Sequence, residues 1–146
     1  MAQNRPLTDA DRWDWLVLLR QAAVTRLSSP DNPAAPNGVV VTCSALKRKY
    51  RDVIRIASYN DHDVLVHFIY LRVADEKTLL ERVTARQGHY MKSSMVHSQI
   101  EMLEEPDKQE QMMDVLELDC DGPSKIDVQR TALKLVKNVL ADYGDI

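Results

Sequence analysis

The sequence predicts an α/β fold, a three-layer parallel sheet with flanking helices, from three observations. Two short runs rich in β-branched and aliphatic residues, 39–43 (VVVTC) and 64–71 (VLVHFIYL), are continuously apolar, the pattern of strands covered on both faces. A third strand reads at 114–119 (DVLELD), and around all three the apolar residues recur at helical spacing. The resulting order, α, β-α, β-α-α, β-α, is the alternation that sets strands side by side in parallel.

Each element has its own reason. Thr8 or Asp9 can cap a first helix running to about residue 28, with Leu16, Leu19, Ala22, Ala23 and Leu27 on one side and Arg12, Asp14, Arg20, Gln21 and Arg26 on the other. Residues 28–38 contain three prolines, which fix φ and remove donors, so this stretch is a Pro-rich surface loop. The strand at 39–43 leads directly into a helix over residues 44–57, with Leu46, Tyr50, Ile54 and Ala57 on one face. After the strand at 64–71, Asp75 caps a helix through Leu79, Leu80 and Val83. The basic segment 86–92 then leads to a further helix ending near Glu105 and Pro106. Residues 121–124 (DGPS) turn the chain from the third strand into a last helix bearing Val128, Ala132, Leu135, Val136, Val139 and Leu140, with Gly144 suited to its stop.

Composition narrows the function classes. A length of 146 residues is one ordinary domain, and 45% apolar with 28% charged residues is close enough to the globular average to exclude wholesale disorder. The net charge of −3 provides no general attraction to nucleic acid or to an anionic membrane. Cys43 and Cys120 each stand alone, as in a reducing compartment. The first residues lack the apolar core of a signal peptide, and no apolar run approaches the roughly eighteen residues of a membrane span. The expectation is a soluble, cytoplasmic protein. The histidines and cysteines show no zinc-ligand spacing, His67 reads as a core or edge residue, and no arrangement calls for a nucleophilic serine or cysteine.

Ligands of open α/β sheets bind at the carboxyl ends of the strands, which points to residues 43–51, 71–75, the stretch after Ala85, and 119–124. The segment from Ser44 to Arg51 opens a helix at the end of a strand, where free N–H groups favour an anion. Lys47, Arg51 and Arg55 add a cationic row at i, i+4 and i+8 that suits a carboxylate or phosphate. A solvated basic helix face produces the same row, and a nucleic-acid patch is disfavoured by the acidic net charge and sparse aromatics. Segment 86–92 (RQGHYMK) sets basic-type side chains around a glycine. It reads either as a lid-like flap over phosphates or as a plain helix–helix connection.

Several stretches, in order, resemble the gluconokinase family of P-loop kinases. They are PLTDADRWDWL at 6–16, CSALKRKYRD at 43–52, FIYL at 68–71, ARQGHYMK at 85–92, SQ at 98–99 with LEEP at 103–106, and DVL at 114–116. They reach across nearly the whole chain, and CSALKxxYRD together with ARxGHxxK is the specific part. The resemblance implies transfer of the γ-phosphate of ATP, bound with Mg2+, to the 6-hydroxyl of D-gluconate. The product, 6-phosphogluconate, belongs to the pentose phosphate route. It further implies that Lys47 and Arg51 are catalytic and hold gluconate, joined in substrate binding by Ser44 and by Arg12 at the carboxylate. Arg86, His89 and Lys92 would form the lid over the ATP phosphates, and Gly122 would lie near adenine. No residue of the chain is assigned to the metal. The partner implied is the small molecule gluconate, without nucleic acid or membrane, and a homodimer is compatible with the resemblance.

One departure accompanies the likeness. The family places a strand, a GxxGxGKS-type loop, a helix and an LDGD-type strand ahead of the PLxDxDR segment, whereas here Met1 nearly abuts it. The glycines, at 38, 88, 122 and 144, form no GxxxxGK[ST] run. The expectation is a single gluconokinase-like domain over 1–146, truncated at its N-terminus, lacking the family's first two strands and inactive alone. A non-catalytic gluconate-binding or regulatory module is the alternative, and a kinase for another sugar acid or small polyol is a third reading. In the family's strand order, 2-3-1-4-5, residues 39–43 and 64–71 would flank an empty slot. They would then pair with each other or leave a poorly stable chain.

Overall fold

The computed structural model of the chain describes residues 8–27, 38–85 and 93–143. The Pro-rich stretch at 28–37, the lid-like segment 86–92 and Gly144 lie outside the described residues. The elements are α1 (Asp9–Leu27), α2 (Arg48–Asn60), β1 (Phe68–Arg72), α3 (Glu76–Thr84), α4 (Ser93–Glu101), α5 (Lys108–Met113), β2 (Val115–Asp119) and α6 (Lys125–Asp142). They group into two compact units, one holding α1, α2 and the chain up to Val66 with Met102–Glu105, the other holding His67–Glu101 and the chain from Pro106 onward.

In the first unit, α1 starts on a reciprocal cap. Thr8 Oγ1 accepts the Asp11 N–H at 3.2 Å, and the Asp11 carboxylate accepts the Thr8 N–H at 2.9 Å and its hydroxyl at 2.7 Å. Helix α1 packs on α2 around buried Leu16, Tyr50 and Val53, with Val17, Cys43, Ala45, Leu46 and Ile54 filling in. Arg20, expected on the polar side of α1, donates to the Val53 carbonyl at 2.8 Å and so ties the two helices.

Three strand and helix limits are corrected. Residues 39–43 form no strand, and Val40 is 90% exposed. A strand requires a neighbour for its N–H and C=O groups, and the only sheet among the described residues is two-stranded, β1 with β2. Residues 39–43 therefore do not pair with 64–71 either. The strand expected at 64–71 is shortened to Phe68–Arg72. An Asx turn precedes it: Asp61 accepts the Asp63 N–H on its side chain at 3.0 Å and the Val64 N–H on its carbonyl at 3.1 Å. Helix α2 begins at Arg48 rather than Ser44 and ends at Asn60, with Lys47 extended at its N-cap (φ −107, ψ 151). The residues just before it are held out of the helix by one long-range and one local bond, since the Leu46 carbonyl accepts the Glu104 N–H at 2.8 Å and the Ala45 carbonyl accepts from the Arg51 guanidinium at 3.2 Å.

In the second unit, β1 and β2 pair in parallel, from Phe68 opposite Val115 to Arg72 opposite Asp119. The ladder is continued at both ends, by Phe68 N–H to the Asp114 carbonyl and Cys120 N–H to the Arg72 carbonyl, each 2.8 Å. The α/β class and the parallel pairing are thus as the sequence predicts. Asp75 caps α3 by accepting the Lys77 and Thr78 N–H groups, and Ser124 caps α6 by accepting the Asp127 N–H. Helix α5 is an addition to the sequence reading, started by Asp107, which accepts the Glu110 N–H at 2.9 Å. Helices α5 and α6 pack on β2, while α3 packs on α4. Val128, Ala132, Leu135 and Val139 of α6 are half-buried, but Val136 and Leu140 of the expected apolar row are exposed. No described helix is long and apolar enough to cross a membrane.

His97 joins α3 to α4, its Nδ1 lying 2.9 Å from Glu76 and its Nε2 3.4 Å from Glu101. The hydrogen bond to Glu76, then the charge of Glu101, raises the imidazole above its usual 6.5. A raised folded-state value means that the stabilisation is complete below 6.5 and fades as pH climbs through the raised value. Thermal melts of wild type and His97→Gln between about pH 6 and 9 are expected to converge toward the alkaline end. Parallel curves across that range would refute the assignment.

Candidate functional site

Tyr50 organises a charged cluster in the first unit. Its ring is fully buried, and three cations sit near its centroid: Arg12 at 5.9 Å, Lys47 at 5.8 Å and Lys49 at 5.8 Å. Its hydroxyl donates to the Asp9 carboxylate, which also receives the Lys49 ammonium and, at 3.3 Å, that of Lys47. The bonds from Lys49 and Tyr50, then Lys47, hold the Asp9 carboxyl well below the usual carboxylate range. Burial, reinforced by the bond to Asp9, pushes the Tyr50 phenol up to about 12. At neutral pH Asp9 is therefore an anion and Tyr50 a proton donor. Beside them the buried Nε of Arg12 meets no acceptor among the described residues.

The start of α2 lies next to this cluster in sequence. Its Arg48 N–H, an anion-seeking group, is already given to the Glu104 carboxylate at 2.8 Å. Arg51 is only 4% exposed and turns inward, donating to the carbonyls of Ala45 at 3.2 Å and Glu104 at 3.0 Å. Arg55 pairs with Asp52 at 2.8 Å. The single cationic row expected from spacing is thus divided among three separate duties.

In the second unit, the carboxyl ends of the two strands lead to a polar loop. Gly122 has φ +84, the left-handed region that glycine favours. Asp121 accepts the Ala74 N–H on one carboxylate oxygen at 2.8 Å, and its other oxygen is buried without a partner among the described residues. Arg82 donates to the Cys120 carbonyl at 2.7 Å. Among the described residues, no group of three or more His, Cys, Asp or Glu is placed to hold a metal ion.

A probable gluconokinase of Schizosaccharomyces pombe is 45% identical over 106 residues, which is 73% of this chain and 52% of that protein. The thermoresistant gluconokinase of Escherichia coli is 38% identical over 123 residues, 84% of this chain and 62% of that protein. A crystal structure of a gluconokinase from Sinorhizobium meliloti matches with a TM-score of 0.71 at 32% identity, covering 97% of this chain and 73% of that one. The chain belongs to the gluconokinase family. No model of a protein family matches the sequence. The chain spans between about half and three-fifths of the length of these two curated gluconokinases, 52% and 62%.

The residues implied by the gluconokinase resemblance are distributed unevenly. Arg12 and Lys47 meet at Tyr50. Arg51 lies inside the unit against main-chain carbonyls, and exposed Ser44 stands upstream of α2 rather than at its opening. Gly122 belongs to the loop after β2, and Arg86, His89 and Lys92 are outside the described residues. Three participants were missed as site residues: Asp9, Lys49 and Glu104. All three lie within the gluconokinase-like stretches, at 6–16, 43–52 and 103–106, so their signal was position in the motif rather than periodicity.

Proposed function

We propose that this chain carries the acceptor side of a gluconokinase, a cytoplasmic enzyme of carbohydrate metabolism that phosphorylates D-gluconate at its 6-hydroxyl with ATP. The observation that carries the reading is the convergence of Arg12, Lys47 and Lys49 on the buried Tyr50, with the Arg12 Nε unfilled by any described acceptor. Such a group suits the carboxylate of a sugar acid, with the guanidinium supplying direction and the ammonium groups supplying charge. Arg12 and Lys47 hold that carboxylate in this scheme, with Ser44 at the edge of the acceptor. Arg51 acts through the turn at residues 45–46, whose conformation decides where Lys47 points. Anchoring one end of the acceptor leaves the far hydroxyl free to meet a phosphoryl donor, and such transfer depends mainly on positioning.

Gly122 near adenine, and Arg86, His89 and Lys92 over the phosphates, are the residues we assign to ATP. Among the described residues no group of three or more His, Cys, Asp or Glu is placed to hold a metal ion, and the first N–H of α2 is already bound by Glu104. No GxxxxGK[ST] run occurs in the sequence. No step through the nucleotide is therefore derived from these residues.

Calorimetry and a coupled assay on the purified chain test both halves. Gluconate is expected to bind without ATP, and no 6-phosphogluconate is expected when ATP and Mg2+ are added. Absence of gluconate binding would remove the acceptor assignment. Ordinary rates of ATP-dependent phosphorylation would show that these residues grip the nucleotide after all. Binding of gluconate without turnover is also what a non-catalytic gluconate-binding module would give.

A further inference from the structure

The cluster around Tyr50 already contains an acid of its own. We propose that Asp9 is an internal counter-anion that competes with the acid group of the ligand for Lys47 and Lys49, so that gluconate binds by taking these cations from it. The proposal rests on the reading of this cluster as the gluconate site.

The chemistry of the contacts supports exchange. Asp9 presents a carboxylate to Lys47, Lys49 and the Tyr50 hydroxyl, the same group that a sugar acid would present to the same donors. Three cations surround the ring, and the two lysines among them share the Asp9 carboxylate. The other acids at hand are engaged elsewhere: Asp11 with Thr8, and Glu104 with the Arg48 N–H. The Arg12 Nε adds a buried donor that Asp9 does not reach.

The members also differ in their freedom to move. Tyr50 is fully buried, whereas the Asp9 side chain is 47% exposed at the first residue of α1 and can turn into water. A neutral sugar has no charge to offer in exchange for the lost ion pairs. An aldonate does, and the competition therefore favours acids over uncharged polyols of the same size.

The test is titration of gluconate, and separately of inorganic phosphate, into wild type, Asp9→Asn and Asp9→Glu at low ionic strength and neutral pH, with circular dichroism to verify folding. Asp9→Asn is expected to bind each anion about tenfold more tightly than wild type, and the charge-retaining Asp9→Glu about as wild type does. Should Asp9→Asn fail to fold, Asp9→Ser, a residue well suited to a helix start, answers the same question. Equal or weaker binding of both anions without the Asp9 charge overturns the proposal, as does an absence of any anion binding. If gluconate binds neither protein while phosphate binds Asp9→Asn more tightly, the competition stands and the gluconate reading falls. If gluconate binds wild type and gains nothing in Asp9→Asn, the reading stands and the competition falls.

Discussion

Replacing Tyr50 with alanine is expected to destabilise the chain by about 3–5 kcal/mol, acting through the first compact unit. The side chain is fully buried between α1 and α2 against Leu16 and Val53, in a core with few other large residues. Truncating a buried aromatic to alanine costs about 3–5 kcal/mol, a large share of the roughly 5–15 kcal/mol that holds a typical domain together. The loss extends beyond packing, because the ring is also the surface over which Arg12, Lys47 and Lys49 gather. Tyr50→Phe keeps the ring and gives up only the hydroxyl, so it should retain most of the stability. Urea melts of the two variants separate the contributions of ring and phenol. An alanine variant within about 1 kcal/mol of wild type would show that Tyr50 is not the keystone of this core.

The second large effect is expected at Arg51. Arg51→Leu removes the donor to the carbonyls of Ala45 and Glu104, leaving acceptors behind that cost about 1–3 kcal/mol apiece when buried and unpaired. A destabilisation of about 3 kcal/mol is the expected result, with lower gluconate affinity in the fraction that remains folded. Arg51→Lys should recover only part, since one ammonium cannot reproduce the planar fork of a guanidinium. A residue that instead touches gluconate directly would give the opposite pattern, near-normal melting with binding lost. Denaturant melts and calorimetry on the same samples discriminate the two.

The contrast between these residues and the sequence reading is instructive. Helix α1, strand β2 and helix α6 were legible because their signals are local. Thr8 with Asp11 and Ser124 with Asp127 are caps spanning one turn, and the apolar positions between them keep a regular period. The run at 39–43 misled because β-branched residues report a preference for extended backbone, whereas a strand also requires a neighbour. The opening of α2 misled for a similar reason. The sequence suggests an opening at Ser44, but the bonds that fix the helix start come from Glu104, 53 positions from Arg51. Asp9 could be read as a helix-start acid, yet its pairing with Lys49 spans 40 positions and leaves no trace in periodicity. Helix α5 was not read from the sequence, although its start, Asp107 with Glu110 three residues later, is a local cap signal.

Glu104 contributes three separate bonds to the start of α2: its N–H to Leu46, its carbonyl to Arg51 and its carboxylate to the Arg48 N–H. Two of the three belong to the main chain and survive replacement by any residue except proline. An alanine scan would consequently grade this position as nearly dispensable. Adding or deleting one residue between Glu101 and Glu104 would shift all three bonds out of register at once, so tolerance of length change, more than tolerance of side-chain change, measures what this position does.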